Sequence, residues 1–340
     1  MSLVLYTTDF SNQYEISHAI SIQMSKYHND VGKMTLVMPA NAYNIEALKN
    51  DRILYDTTKK VAYIIKNIKI ETKQNRITAN GYTTNHILNS RVISSPVAVG
   101  NVEIGAYTIV NDNLRGLSRV SVAASKGLTE ENEATLYGGT VLENIIPLLA
   151  SVDLGHDMVF NHRTGEHIFE VCQGADLTTG IHAIVFSDEQ GTARDLVIND
   201  DVSTFKNVAY VVSEYEEAEI VEIVGDATGD DRHEMWLNVS LTAEDGETID
   251  QFRARMRQHG AMELGKLIKR LSFNACVDPA ELGVLYNIGD LVSCVSKRYG
   301  IKFNARVSGV KYKKDANSET TEVVLGEPKL TAIGEVKLSG

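Results

Sequence analysis

The chain is 340 residues long, 43% hydrophobic and 23% charged, which is the make-up of a globular protein too large for one core and with room for two or three. Its net charge of −12 excludes a protein that grips nucleic acid through a basic face, and its three scattered cysteines exclude a disulfide framework or a thiolate zinc site. No apolar run approaches the ~18 residues needed to cross a bilayer and the N-terminus lacks a basic n-region, so a cytoplasmic product without membrane insertion is expected, with Cys172, Cys276 and Cys294 as buried thiols.

Ser2–Thr7 predicts an opening strand. From Tyr14 onward Ile16, His18, Ile20, Ile22 and Met24 fall on alternate positions, predicting one long strand with a single packed histidine on its buried face. Lys33–Met38 repeats the alternation up to Pro39, Ala42–Lys49 suits a short helix, and Val61–Glu71 with Arg76–Asn80 form a hairpin around Thr72–Asn75. Gly81 then precedes a short helix carrying Ile87 and Leu88 and ending at Arg91. Together these elements predict a compact β-rich unit over 1–97.

Residues 98–136 hold scattered glycines and polar residues without a sustained period. A helix is predicted over Thr140–Val152, where Val141, Ile145, Leu148 and Leu149 recur at helical spacing, with Pro147 kinking or ending it. Met158–Phe160 and His167–Val171 flank a turn at Arg163-Thr164-Gly165. His162, Glu166 and His167 cross that turn in an order that fits no helical metalloprotease pattern, and Asp226–Asp231 lacks the alternating ligands of a calcium loop. Ile181–Phe186, Ala193–Ile198 and Phe205–Val211 predict further strands, with a turn over Ser187–Gly191.

Charge concentrates next. Residues 201–247 contain thirteen Asp and Glu against only Lys206 and Arg232, a net of −11. Glu214, Glu216, Glu217, Glu219 and Glu222 alternate with Tyr215, Ile220, Val221 and Ile223, predicting a hairpin with one strongly negative face. Such a face is either solvated or lines a channel past which DNA slides, where like charge keeps phosphates from sticking. A long helix is predicted over 244–271, capped by Thr242–Asp245. Its apolar stripe holds Ile249, Phe252, Met256, Leu264, Leu267, Ile268 and Leu271, with Gly260 allowing a close neighbour. Leu285–Gly326 reads as a strand meander with turns at Gly289-Asp290, Tyr299-Gly300 and Lys313–Thr320.

Three stretches carry a resemblance to a known family. The closing one runs Tyr286-x-x-Gly289-Asp290-x-Val292, then Tyr299-Gly300-Ile301, Ala305-Arg306-Val307, and a polar hairpin into Val323-Val324-Leu325-Gly326. The second is Gly81, the short helix with Ile87-Leu88, and Arg91. The third is the strand ending Phe186-Ser187, a turn with Gly191, and Asn207-x-x-Tyr210-Val211. In this order, across most of the chain, they resemble the tail hub proteins of long-tailed bacteriophages and prophages, of the siphovirus Gp37-like tail protein type.

The resemblance implies a β-rich, multi-domain α+β fold. Two β-barrel-like tube-type domains, each carrying a packed helix, would lie at 1–97 and 201–328, with a middle α+β domain at 98–200 and a tail at 329–340. It implies a structural virion component with no catalytic role and no cofactor or metal. That component would join tail tube to tail tip as a homotrimeric ring around the DNA channel, at the virion tail tip, after assembly in the host cytoplasm. Its partners would be a distal tail or tail-tube protein, the tape-measure protein and a tail fibre or spike protein, with DNA only in passage. The residues themselves carry no G-x-S-x-G and no P-loop. Two other readings stay open: a receptor- or carbohydrate-binding module stacking sugars on Trp236, and a metal-dependent hydrolase using His156, His162 and His167.

Overall fold

The computed structural model describes residues 2–326 apart from Glu244, Asp245, Lys266, Ile268, Lys269 and Pro279, so the expected tail at 329–340 lies outside the described residues. Its contacts divide the chain into two units, residues 1–197 with 273–340, and residues 198–272. Sheets dominate both units.

The first unit opens with β1 (Leu3–Tyr6), β2 (Gln13–Ile16), β3 (Ser21–Tyr27), β4 (Lys33–Pro39), α1 (Ala42–Ala47), β5 (Ile53–Asp56), β6 (Val61–Glu71) and β7 (Arg76–Thr83). The strands lie in the order β3-β4-β7-β6-β5-β1-β2, every neighbour antiparallel. β2 and β3 follow one another in the chain yet stand at opposite ends of that run, so the short link between them draws the ends together and the sheet curls. The expected single strand from Tyr14 to Met24 is therefore two strands and a corner. His18 sits in the corner, exposed and with φ of 56°, whereas Ile16, Ile22 and Met24 keep the buried face expected of them.

A 3-10 helix (Thr84–Ser90) follows, then β8 (Val97–Asn101), α2 (Val102–Asp112), β9 (Val120–Val122), β10 (Glu131–Leu136), α3 (Val141–Ala150), β11 (Gly155–Asn161) and β12 (Glu166–Cys172). Two small sheets, β8-β10 and β9-β12-β11, pack with α2 and α3 around Val102, Ile109, Ile145, Leu149 and Phe169. α3 starts where expected, and the structure adds that Thr140 and Glu143 cap one another reciprocally and that Pro147 lies inside the helix without ending it early. α2 gave no periodic signal because it is buried nearly all round, Glu103 included. The Glu103 carboxylate accepts the Lys126 and Leu128 N–H groups at 2.6 and 2.9 Å, anchoring the following loop.

After β13 (Val185–Phe186), the chain passes along β14 (Arg194–Asp201) into the second unit, which comprises β15 (Val208–Tyr215), β16 (Ala218–Val224), β17 (Glu234–Asn238) and α4 (Ile249–Leu264). β15 is central, antiparallel to β16 and parallel to β17. α4 covers one face, setting Phe252 and Met256 against Ala209, Val211 and Ile220. The close approach expected at Gly260 is real: a Cβ there would stand 2.6 Å from Val211 Cγ2. The helix is shorter than expected at both ends. Thr248, not Thr242–Asp245, forms the cap, its hydroxyl meeting Gln251 N–H while the Gln251 side chain accepts from the Thr248 N–H. The chain turns at Gly265, and pairing in the sheet claims residues from Arg270 as β18 (Arg270–Cys276); Glu244, Asp245 and Ile268 of the expected helix lie outside the described residues.

β18, β19 (Leu291–Ser296), β20 (Ile301–Asp315) and β21 (Glu319–Gly326) return to the first unit. The expected domain of 201–328 is thus interrupted, since residues 198–272 form their own unit while β20 joins the N-terminal sheet. β20 pairs with β19 through Arg306 and with β3 from Gly309 onward, changing partner at a bulge beside Gly309. One strand therefore ties the closing meander to the N-terminal strands.

Gly309 permits that change. A Cβ there would lie 2.8 Å from the Lys26 carbonyl oxygen and press into the Tyr27 ring. Gly309→Ala is expected to lower unfolding stability by about 1–3 kcal/mol, read as a reduced urea midpoint; an unchanged midpoint would mean that the β20–β3 register is not tightly held.

Candidate functional site

Gly289, Asp290 and Arg306 of the closing stretch meet at one junction in the first unit. Gly289 has φ of 103°, the region that favours glycine, and a Cβ on it would stand 2.6 Å from His28 Nδ1. Its carbonyl accepts from Arg306 Nη1, and the same guanidinium grips Asp153 through Nε to Oδ1 at 2.9 Å and Nη2 to Oδ2. This two-pronged geometry is the strong form of an arginine–carboxylate contact. Asp290, only 5% exposed, accepts the Ala175 N–H at 2.8 Å and the Asn287 N–H at 2.7 Å. Both its oxygens accept from backbone donors, so it holds the turn together.

The other signature residues hold their own neighbourhoods. Gly81 lies against the β6 backbone at a bulge, and Arg91 Nε donates to Leu114 O at 2.9 Å, tying the 3-10 helix to the loop after α2. Gly300, with φ of 66°, closes the β19–β20 turn, and Tyr299 projects there, 63% exposed. Glu189 secures this turn by accepting the Arg298 N–H at 2.8 Å; that bond and one from Ser187 Oγ hold its carboxyl down at about 2.

In the second unit Asn207 pins the approach to β17, donating from Nδ2 to Asp231 O at 2.7 Å and accepting the His233 N–H at 2.8 Å. Tyr210 and Trp236 are direct partners on β15 and β17, with ring centroids 6.1 Å apart and nearly parallel. Trp236 is 62% exposed, and Arg232 and Glu234 flank the Tyr210 hydroxyl at 3.0 and 3.3 Å.

The five glutamates form the expected hairpin but not one face. Glu216 and Glu217 make its two-residue turn with φ of 48° and 66°, values that asparagine or glycine more often supplies. Glu214 stands directly opposite Glu219, both exposed. Glu222 is three residues from Glu219, and strand alternation turns it to the helix-covered side. There it meets Arg253 at 3.4 Å and Arg257 at 2.7 Å, its side chain 16% exposed. Glu214, Glu217 and Glu219 border an open groove of about 620 Å³ together with Ser213 and residues 238–242. Nothing in the sequence singles out Ser213; its place depends on where β17 stops.

The histidines of the hydrolase reading do not assemble. His156 and His167 are buried on β11 and β12 opposite Val171 and Phe160, while His162 is exposed and stacks on Tyr55. Among the described residues no three His, Cys, Asp or Glu side chains are placed to share a metal ion.

Comparison with known proteins sets these features in context. The family model described as Siphovirus ReqiPepy6 Gp37-like protein matches residues 2–327. No curated protein matches the chain. Among solved structures, the tail protein from Neisseria meningitidis MC58 superposes with a TM-score of 0.57 at 13% identity, covering 96% of each chain. The prophage MuSo2 43 kDa tail protein from Shewanella oneidensis gives 0.57 at 12%, covering 96% of this chain and 98% of that one. Prophage tail protein gp18 from Listeria monocytogenes EGD-e gives 0.54 at 13%, covering 98% and 96%. At such identities the likeness is one of fold.

Burial gives the histidines a measurable consequence. His28, His156 and His167 are each pushed down to about 4 by desolvation, with Arg306 adding to the effect at His28 and Arg119 at His167. They fold neutral, and the unfolded chain binds their protons first, so stability is full above the ordinary histidine value of 6.5 and is lost as pH falls from there toward about 4. Between about pH 7 and about pH 5 each histidine is expected to withdraw about 2 kcal/mol, read as a falling urea midpoint. A midpoint that stays flat over that window would contradict their neutral burial.

Proposed function

Taking as premise that the chain belongs to the Siphovirus ReqiPepy6 Gp37-like protein family and is a structural component of a phage or prophage tail, we propose that it is the hub of that tail. The observation that carries this reading is the end-to-end match: the family model spans residues 2–327, and tail proteins of other phages share the fold over nearly their whole length. In this reading three copies close into a ring around the DNA path at the tail tip, after assembly in the host cytoplasm. The ring joins a distal tail or tail-tube protein on one side to a fibre or spike protein on the other, with the tape-measure protein in its bore.

The work is mechanical. The Arg306–Asp153 pair and the shared strand β20 resist shear within each subunit, and curled sheets supply edges and loops for neighbours. The bore-lining role no longer extends to Glu222, which is already neutralised by Arg253 and Arg257, and rests on the exposed Glu214, Glu216, Glu217 and Glu219 of the acidic hairpin. Unpaired carboxylates facing DNA keep its phosphates from adhering.

Static light scattering over a wide concentration range tests the ring directly. The expected mass is three times the 37.4 kDa chain, either alone or on adding the tail-tube protein. A monomer that persists with that partner in excess would sink the trimeric hub.

The exposed Tyr210–Trp236 pair favours a second reading, sugar binding at the tail tip. Trp236→Ala would then abolish capture of cell-wall glycan by the purified chain; equal capture by both proteins, or none by either, would dismiss it.

A further inference from the structure

The chain that leads into β13 carries an insertion its pairing does not need. Asp176 lies against Leu291 and Val185 against Ser293, so β19 advances two residues while its neighbour advances nine. The neighbour leaves at Leu177 and resumes at Ile184, whose N–H closes the excursion on Leu177 O at 2.8 Å. The Asp176 carboxylate accepts the Thr178 N–H and hydroxyl, and Gly180, with φ of 85°, turns the tip. Directly after that glycine stands Ile181, 95% exposed.

A second loop has the same construction. Gly283, with φ of 83°, precedes Val284 at 78% exposure and Leu285 at 53%. Gly283 N–H to Tyr286 O at 2.7 Å and Leu285 N–H to Glu281 O at 2.8 Å fix the turn. Both loops are rooted at β13: Ile184 directly precedes it, and the Tyr286 ring packs edge-on against Phe186 with centroids 5.1 Å apart. Among the described residues Ile181 and Val284 are the most exposed large apolar side chains. Held outward by bonded turns, they offer apolar surface whose burial would be favourable.

Charge decides what can cover them. Residues 174–193 and 277–296 contain Asp176, Asp188, Glu189, Asp278, Glu281 and Asp290 and no lysine or arginine. The opposite pattern occurs on the β6–β7 hairpin, where residues 66–76 hold Lys66, Lys69, Lys73 and Arg76 against Glu71 alone. β5 covers β6 only from Val61 to Ile64, so residues 66–71 have no strand on their outer side in this sheet, and Ile70 is 47% exposed. Lys66 and Lys69 pair with Asp51 and Glu71, whereas Lys73 and Arg76 are in no ion pair among the described residues. Like charge opposes meeting loop to loop or hairpin to hairpin, while loop to hairpin is attractive. Contact between two different surfaces of one chain is the kind that closes a ring.

We infer that the β6–β7 hairpin of one copy docks on the Ile181 and Val284 loops of the next, with Ile70 against the aliphatic tips and Lys73 and Arg76 toward Asp176, Asp278 and Glu281. This rests on the ring reading and names the two surfaces that close it. Both surfaces belong to the first unit, so the contact repeats identically around the axis.

Sedimentation velocity of the full chain over a wide concentration range at low salt tests it, alone and with the tail-tube protein in excess. Ile181→Ser with Val284→Ser is expected to weaken trimer formation by about tenfold or more, and Lys73→Glu with Arg76→Glu by about the same factor. Glu281→Lys, added to the Lys73→Glu, Arg76→Glu chain, is expected to recover about threefold of that loss, which a damaged hairpin would not allow. Tyr299→Ser, at the other end of β19, is expected to leave assembly within about twofold. Thermal unfolding is followed alongside, and each variant should unfold with the parent because the altered side chains are exposed. A trimer untouched by these variants, or weakened equally by Tyr299→Ser, would overturn the contact and leave the ring standing. If the trimer held while tail-tube binding weakened, the loops would serve that protein instead. A monomer in both conditions would remove the ring and the contact together.

Discussion

A single strand that must hold two different partners along one edge is the constraint on which the first unit depends. The leading half of β20 is bound by β19 and its trailing half by β3, and the exchange falls at one bulge between Val307 and Gly309. Strand pairing locks side-chain direction with a period of two, so a slip of one residue would turn Val310 and Tyr312 out of their buried positions. The N-terminal curl and the C-terminal meander are thus parts of one cooperative body, although nearly three hundred residues of chain separate β3 from β20.

The junction of Arg306 with Asp153 and the Gly289 carbonyl stands directly beside that exchange point. Arg306 faces β19 in register with Leu291, so its guanidinium reaches the middle layer at Asp153 and the 289–290 turn together. His28, at the end of β3, fills the space that a side chain on Gly289 or Gly155 would need. Its neutral burial, disfavoured at acid pH, follows from that packing and from the nearby arginine. Here a two-pronged ion pair, a glycine contact and shared backbone bonds occupy the same few residues.

The second unit distributes charge differently. Its sheet has one face sealed by α4 and the other open, bearing Trp236, Ile223 and Val221 beside free carboxylates. The acidic residues that could be neutralised within the unit are neutralised, by Arg232, Arg253, Arg255 and Arg257. Glu214, Glu217 and Glu219, without a cationic partner among the described residues, border the groove where β15 outruns β17.

Much of the local structure was legible in the sequence, because it is set by neighbours in the chain. Alternation predicted β4, apolar runs between polar turns predicted β1, β6 and β7, helical spacing predicted α3, and the order of glycines, tyrosines and Arg306 carried the family. What failed did so for identifiable reasons. α2 buries most of its surface, Glu103 included, while exposing Ile104, so it has no clean apolar stripe to read; His18 keeps the period of a strand while its backbone turns a corner; residues from Arg270 are drawn from a helical pattern into a sheet. The acidic hairpin was visible, yet its division into paired and free carboxylates was not, since Arg253 and Arg257 reach Glu222 only once α4 lies across the sheet. The sequence by itself determined many of the strands and the start of α3, where the negative charge lies, and which family the chain resembles. Only tertiary structure decided that β20 exchanges β19 for β3 along one edge, that Gly289, Asp153 and Arg306 meet, and that Arg253 and Arg257 reach Glu222, because each depends on contacts between residues far apart in the chain whose approach no local pattern encodes.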